Sequence, residues 1–293
     1  MAQASIAPAA ANSEDSPVSS AQGDDRMHWM MSTPFFLVHL GAVAVLFFAE
    51  WSWHAWGIVL ASYVLRMFGV TGGYHRYFSH RTYKTSRVFQ FVLALVAMSS
   101  TQKGVLWWAA HHRHHHRFSD EDNDVHSMKK RGFWWSHVGW ILSTRWDHTD
   151  MSKIKDLSKY PELRWLNRFH LVPTLVYLVA LYALWGMQGL LWGYVVSTVL
   201  VWHGTFTINS LSHWLGKRVY ATTDESRNSW VLAIVTMGEG WHNNHHHFQA
   251  STRQGFRAYE IDVTYMILKA MSWVRLVWDL REPPPQVVAA RSS

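Results

Sequence analysis

The 293-residue sequence contains no cysteine. That excludes disulfides, cysteine-ligated iron–sulfur clusters, thiolate zinc sites and cysteine nucleophiles on this chain. Charge is sparse as well. Charged types make up 16% of the residues, against about a quarter in ordinary soluble domains. What fills the space is apolar: hydrophobic types reach 49%, and tryptophan alone is counted at 19. Rings with one dry and one wet end suit a membrane–water interface. The formal charge of +7 has three common readings: nucleic acid, anionic lipid or an acidic protein partner. In so apolar a chain, basic loops held on the cytoplasmic side come first, and no nucleic-acid partner is expected.

Four apolar runs stand out, at about 34–53, 56–74, 169–187 and 190–208. Each approaches the ~20 residues that cross a bilayer core of ~30 Å. The connectors at Trp53–His54 and Gly186–Gly189 are short, so the runs read as two helical hairpins. A fifth run, Val88 to Ser99, is too short to span and reads as an interfacial or re-entrant helix. Lys and Arg crowd the segment between the hairpins, while the hairpin tips carry little beyond Glu50. The positive-inside bias puts residues 75–168 and 209–280 in the cytoplasm. The expected architecture is all-α and integral to the membrane: four transmembrane helices in two hairpins beneath a helical cytoplasmic cap. The membrane domain spans 33–280, between disordered tails at 1–32 and 281–293.

Of the 20 histidines, many cluster at the cytoplasmic ends of these runs. His112, His115 and His116 stand at i, i+3, i+4, and His242, His245 and His246 repeat that spacing. On a helix such residues share a face. Asn209 and His213, at i and i+4, also share one. His75 and His80 are five apart, which no ideal α-helix aligns, so one is expected beyond a helix end or on a distorted turn. These nine imidazoles exceed the needs of one metal ion and suit two, and imidazole suits Zn, Cu, Fe and Ni. His28, His39, His54, His148, His170 and His203 stand alone and read as satisfied polar groups. His111, His114 and His247 break the spacing and read as non-ligands, and His126 and His137 carry no ligand spacing.

His75-Arg76-x-x-x-His80, His112-Arg113-x-His115-His116 and His242-Asn243-x-His245-His246 resemble the three histidine boxes of the membrane fatty-acid desaturases, nearest the stearoyl-CoA, Δ9 class. The flanks agree: Gly-Val-Thr-Gly-Gly-Tyr before His75, Arg131-Gly132-Phe133-Trp134-Trp135-Ser136-His137-Val138-Gly139-Trp140, and Gly238-Glu239-Gly240-Trp241 before His242. The resemblance runs from about Thr33 to Trp278. It implies two non-haem iron ions held by the nine His, with Asn209 reaching one through water. It implies dioxygen as co-substrate and a cis double bond placed in a saturated acyl chain. Glu239, Asp120 and Asp124 are the candidate carboxylates to orient the ligands.

Tyr63 and Met67 lie about 18 and 12 Å along the helix from His75, at about 1.5 Å per residue. That depth suits the methyl end of an acyl chain, so they are assigned to the tunnel together with Trp108 and Gln102. The animal acyl-CoA enzymes precede the second box with Trp-Ala-Arg-Asp, where this chain has Trp108-Ala109-Ala110-His111. The substrate is therefore expected as acyl-CoA or as an acyl chain in a glycerolipid. Lys103, Lys129, Lys130 and Arg131 are candidates to meet phosphates or a redox partner. With no cysteine for a cluster, electrons are expected from a separate donor such as a ferredoxin or small cytochrome. A bacterial inner membrane with a cytoplasmic active site is the expected location. A di-iron lipid hydroxylase or ketolase is the alternative, and a membrane metal transporter the remote one.

Overall fold

The computed structural model describes residues 24–290. Three of its helical stretches are long and apolar enough to cross a membrane: Trp29–Phe48, Trp53–Ser79 and Val172–His213. The first is helix α1 (Trp29–Phe48). It begins inside the stretch read as a tail, because the His28 ring accepts from Met31 N–H at 3.2 Å and caps it. Residues 1–23 lie outside the described residues. After a tight connection, Ser52 caps α2 (Trp53–Phe68) by accepting from Ala55 N–H at 3.1 Å. The stretch then continues as a π-helix over Gly69–Ser79.

The 42-residue stretch is not straight. It comprises α5 (Val172–Gln188), a π-helical segment (Gly189–Val196) and α6 (Ser197–Asn209). Within it Gly186 adopts φ 58°, ψ −142°, a conformation open to glycine. A Cβ on Gly193 would lie 3.2 Å from the Leu181 side chain. Twelve residues of unbroken helix would hold those positions about 18 Å apart, so the chain doubles back. Trp51 and Trp192 pack edge to face at 5.8 Å, which brings this turn beside the α1–α2 connection. Outward faces of α1 and α5 expose Leu40, Phe47, Val179 and Leu184, as helices surrounded by lipid do.

α3 (Arg87–Met98) is 12 residues, about 18 Å, too short to span. Its Leu93, Ala94, Ala97 and Met98 are buried. The packing onto the 69–79 π-helix is backbone-close, for a Cβ on Gly69 would sit 2.8 Å from the Val96 carbonyl. Its outer face leaves Val88 and Val92 exposed. α4 (Val105–Arg117) follows, and α7 (His242–His247) lies beyond the 42-residue stretch. The region after residue 281 is not loose as far as Ala290. A short helix at Pro285–Ala289 is tied down by the Tyr220 hydroxyl, which donates to Val288 O at 3.0 Å.

Candidate metal centre

The π-helix explains the five-residue spacing. Its hydrogen bonds run i→i+5, and His80 N–H donates to His75 O at 3.2 Å. One π turn therefore carries His75 onto His80. The widened turn leaves carbonyls that side chains must satisfy. The Tyr83 hydroxyl donates to Gly72 O at 2.7 Å, Ser79 to Tyr74 O at 2.8 Å, and Arg113 to Phe78 O and Ser79 O at 3.0 and 2.8 Å.

The nine imidazoles gather in two groups whose ligand atoms lie within 4.8 Å of one another: His75, His80, His112, His116 and His245; and His115, His213, His242 and His246. The first box lies wholly in the group of five, and the second and third are divided between the two groups. On α4, His112 and His116 face the group of five and His115 the group of four. On α7, His245 faces the first, and His242 and His246 the second. His213 is not on one helix with Asn209, because α6 ends there and a 3₁₀ turn over Leu211–His213 carries the imidazole.

The donor set fits metal ions. In the group of five, Nε2···Nε2 distances are 3.1 Å for His75–His245, 3.0 Å for His245–His116, 3.0 Å for His116–His112 and 2.9 Å for His112–His80. Two nitrogens about 2.1 Å from one ion and at right angles lie about 3.0 Å apart. Mutual hydrogen bonds do not account for this ring, since each Nε2 offers one hydrogen or one lone pair, and those of His112 and His116 each face two neighbours. In the group of four, the Nε2 atoms of His115 and His246 are buried without any partner, an unfavourable state that a cation would relieve.

Carboxylates fix the tautomers from outside. His75 Nδ1 lies 2.6 Å from Glu239, His115 Nδ1 2.8 Å from Asp124, and His213 Nδ1 3.0 Å from Asp120. These are the three carboxylates expected from the sequence. A fourth, Asp224, lies 2.5 Å from His246 Nδ1. Nothing in its local sequence marks it. Asp124, Asp120 and Asp224 accept hydrogen bonds from Nδ1–H and turn the Nε2 lone pairs inward, while Glu239 faces His75 as a close charge without an aligned hydrogen bond. Burial would raise these carboxyls, but the facing imidazoles, joined by Arg76 at Glu239, hold them below their ordinary range, Asp120 at about 2. Burial, then mutual repulsion, holds His80, His112, His116, His242 and His245 well below the ordinary imidazole value. Their rings are neutral at pH 7, the form that binds metal.

Arg76, fully buried, reaches Glu239 at 2.9 Å and Asp262 at 2.9 Å. Gly238, at φ 125°, makes that approach possible, since a Cβ there would meet Asp262 Oδ1 at 2.4 Å. His111, His114 and His247 lie outside both groups. His111 Nδ1 pairs with Trp107 O, His114 Nε2 with Asn123 O, and the His247 ring stacks on Tyr220 at 4.3 Å. The His126 ring lies tilted against His115, at 4.2 Å between centroids.

A cavity of about 370 Å³ borders the group of five at His112 and is walled by Trp108, Gln102, Asn209, Phe35 and Met31. Trp108 and Gln102, assigned to the tunnel from the sequence, both line this cavity. Tyr63 and Met67 do not line this cavity. They pack where a Cβ on Gly204 would come within 2.8 Å of each side chain, and the Tyr63 hydroxyl donates to Val235 O at 2.6 Å. The missing side chain at Gly204 lets α6 close over that face of α2.

The family profile described as "Fatty acid desaturase" matches residues 51–260. An sn-1 stearoyl-lipid 9-desaturase of Anabaena variabilis is 34% identical over 258 residues, 87% of this chain and 94% of the relative. One of the same name from Synechocystis sp. is 35% identical over 269 residues, 90% and 83% of the two chains. An acyl-CoA 5-desaturase of Anemone leveillei is 33% identical over 262 residues, covering 87% and 81%. With box-spaced imidazoles, helices apolar enough for a membrane and these relatives, the chain belongs to the fatty acid desaturase family.

Proposed function

We propose that this desaturase introduces a cis Δ9 double bond into a saturated acyl chain esterified in a membrane glycerolipid. Two buried groups of inward-facing imidazole nitrogens beside a largely apolar cavity carry the reading. The nine His would hold two non-haem irons, with Asn209 contributing through water. With dioxygen and two external electrons, the metals would supply the oxidising power that an unactivated methylene demands. The chain's own residues bind and orient. The cavity holds the acyl chain against Trp108 and His112 and excludes water, while Asp120, Asp124 and Asp224 hold the Nδ1 protons of their imidazoles.

The glycerolipid reading has local support. Ala109 and Ala110 are buried and offer no polar contact to a headgroup. Lys103, Lys129, Lys130 and Arg131 are already paired, with Asp147, Glu225, Asp122 and Asp25. The exposed neighbours of the cavity include Met30, Met31 and Leu171, suited to lateral entry from lipid. The names of the cyanobacterial relatives point the same way. The fold is read as four spans in two hairpins, with the turn at Gly186 dividing the long stretch, and with the metal centre in a cap on the cytoplasmic side of a bacterial inner membrane. A separate acidic donor, a ferredoxin or small cytochrome, would dock on the basic cytoplasmic face.

Expression in a host whose lipids lack such double bonds tests this. New cis Δ9 bonds in intact glycerolipids are expected. A hydroxylated product would overturn desaturation, and turnover of acyl-CoA alone by the purified, reduced enzyme would overturn the glycerolipid assignment.

A further inference from the structure

Three histidines that stand outside both metal groups form one continuous string. His39 Nδ1 lies 2.7 Å from Phe35 O, and its Nε2 lies 3.0 Å from His203 Nε2. His203 Nδ1 lies 2.9 Å from His137 Nε2, and His137 Nδ1 lies 2.9 Å from the Ser210 hydroxyl. Ser210 in turn contacts Phe206 O at 3.0 Å. The string joins α1, α6 and the π-helical segment Trp135–Gly139. Phe35, Trp202 and Phe206 flank it and also wall the acyl cavity.

Its inner end grips the metal side of that cavity. Ser136 donates to Asn209 O at 2.6 Å, while the next residue, His137, holds Ser210. Two neighbouring residues of one segment thus clamp two neighbouring residues at the end of α6. Neutral imidazoles and a hydroxyl supply one hydrogen each. Four hydrogens cannot complete five contacts, so one contact is left without a hydrogen, and His203 in the middle must both donate and accept for the rest to form.

We propose that His137, His203 and His39 are positioning residues that set the placement of Asn209 at the metal centre through the 136–137 clamp. This rests on the reading of Asn209 as a water-bridged partner of one metal. The three histidines of the string touch none of the nine imidazoles, so His203→Leu should leave metal content unchanged. Desaturation should fall by about 10- to 100-fold, the range for losing an outer partner of a metal ligand.

The test uses the iron-loaded full chain and reads Mössbauer spectra, iron content and lipid products of His203→Leu, Asn209→Ala and the double variant. Asn209→Ala should alter the signature of one iron and not the other. His203→Leu should alter the same one, and the double variant should lose no more than Asn209→Ala alone. His203→Gln, which can donate and accept, should recover much of the activity. If His203→Leu fails to fold, His39→Leu at the far end of the string replaces it. Additive losses, or a His203→Leu signature like that of the wild type, would overturn the positioning role. If instead Asn209→Ala leaves both irons unchanged, the water-bridged reading fails first and takes this proposal with it.

Discussion

The two imidazole groups are built differently. In the group of four, three rings lean on carboxylates: His115 on Asp124, His213 on Asp120 and His246 on Asp224. In the group of five, His75 alone has such a partner, Glu239. A carboxylate behind an imidazole fixes its orientation and raises its basicity. The smaller group therefore compensates for fewer nitrogens with stronger ones, and the larger relies on number. Two metals held this way would differ in charge and electron density, although every direct protein donor in both groups is a histidine.

The largest expected effect comes from the larger group. His245 touches both His75 and His116. His245→Ala should remove one metal and cut new double bonds beyond the about 100-fold seen for outer partners. Iron per chain and lipid analysis read this, and intact iron content would break the metal assignment altogether. Asp224→Asn comes next and should cost about 10- to 100-fold in metal affinity or activity, felt in the group of four. Glu239→Gln should cost less metal affinity, because four other imidazoles remain, but should also lower the melting temperature by weakening the buried Arg76. Equal metal loss in the two variants would erase the distinction.

Acid sharpens the comparison further. Six of the nine imidazoles, His80, His112, His116, His242, His245 and His246, are pushed down by burial, while Asp124 raises His115. Below about pH 6.5 the unfolded chain therefore takes protons that those six refuse in the folded one. Stability and metal retention should therefore fall as pH drops from about 6.5. As pH falls, His246, held at about 4 because burial outweighs the pull of Asp224, should take its proton before His112 or His116, which have no carboxylate and lie well below the ordinary value. Metal release followed against pH would show one phase if the groups were alike. The smallest effect is expected at Tyr63. Tyr63→Ala opens space at Gly204 and not at the cavity, so the product chain length should stay the same; a longer product would restore Tyr63 to the tunnel.

Much of this centre was legible in the sequence because helical spacing is a local property. The i, i+3, i+4 sets on α4 and α7 follow from the order of residues alone. Their division between two groups was not legible, since it depends on where the helices from distant parts of the chain meet. Glu239 and Asp124 lie close to box residues in sequence. Asp224 does not, being brought to His246 by a loop 22 residues away. The turn at Gly186 was visible as a glycine-flanked gap. The start of α1 at Trp29 was hidden, because its cap is a histidine instead of a preferred Ser, Thr, Asp or Asn. Tyr63 and Met67 were assigned from their depth along α2, and the closeness of α6 at Gly204 could not be read from α2 alone.

The π-helix at 69–79 has one further consequence. Its pitch is held by Tyr83, Ser79 and Arg113, none of them within the two nitrogen groups. The bonds that align His75 with His80 thus do not themselves run through a metal ion. Such a site gains little discrimination from closing around the right element and gives much the same reception to any divalent ion of suitable size and taste for nitrogen. Affinity alone would favour copper over iron at nitrogen donors, so correct loading falls to what the cell offers while the chain is being made.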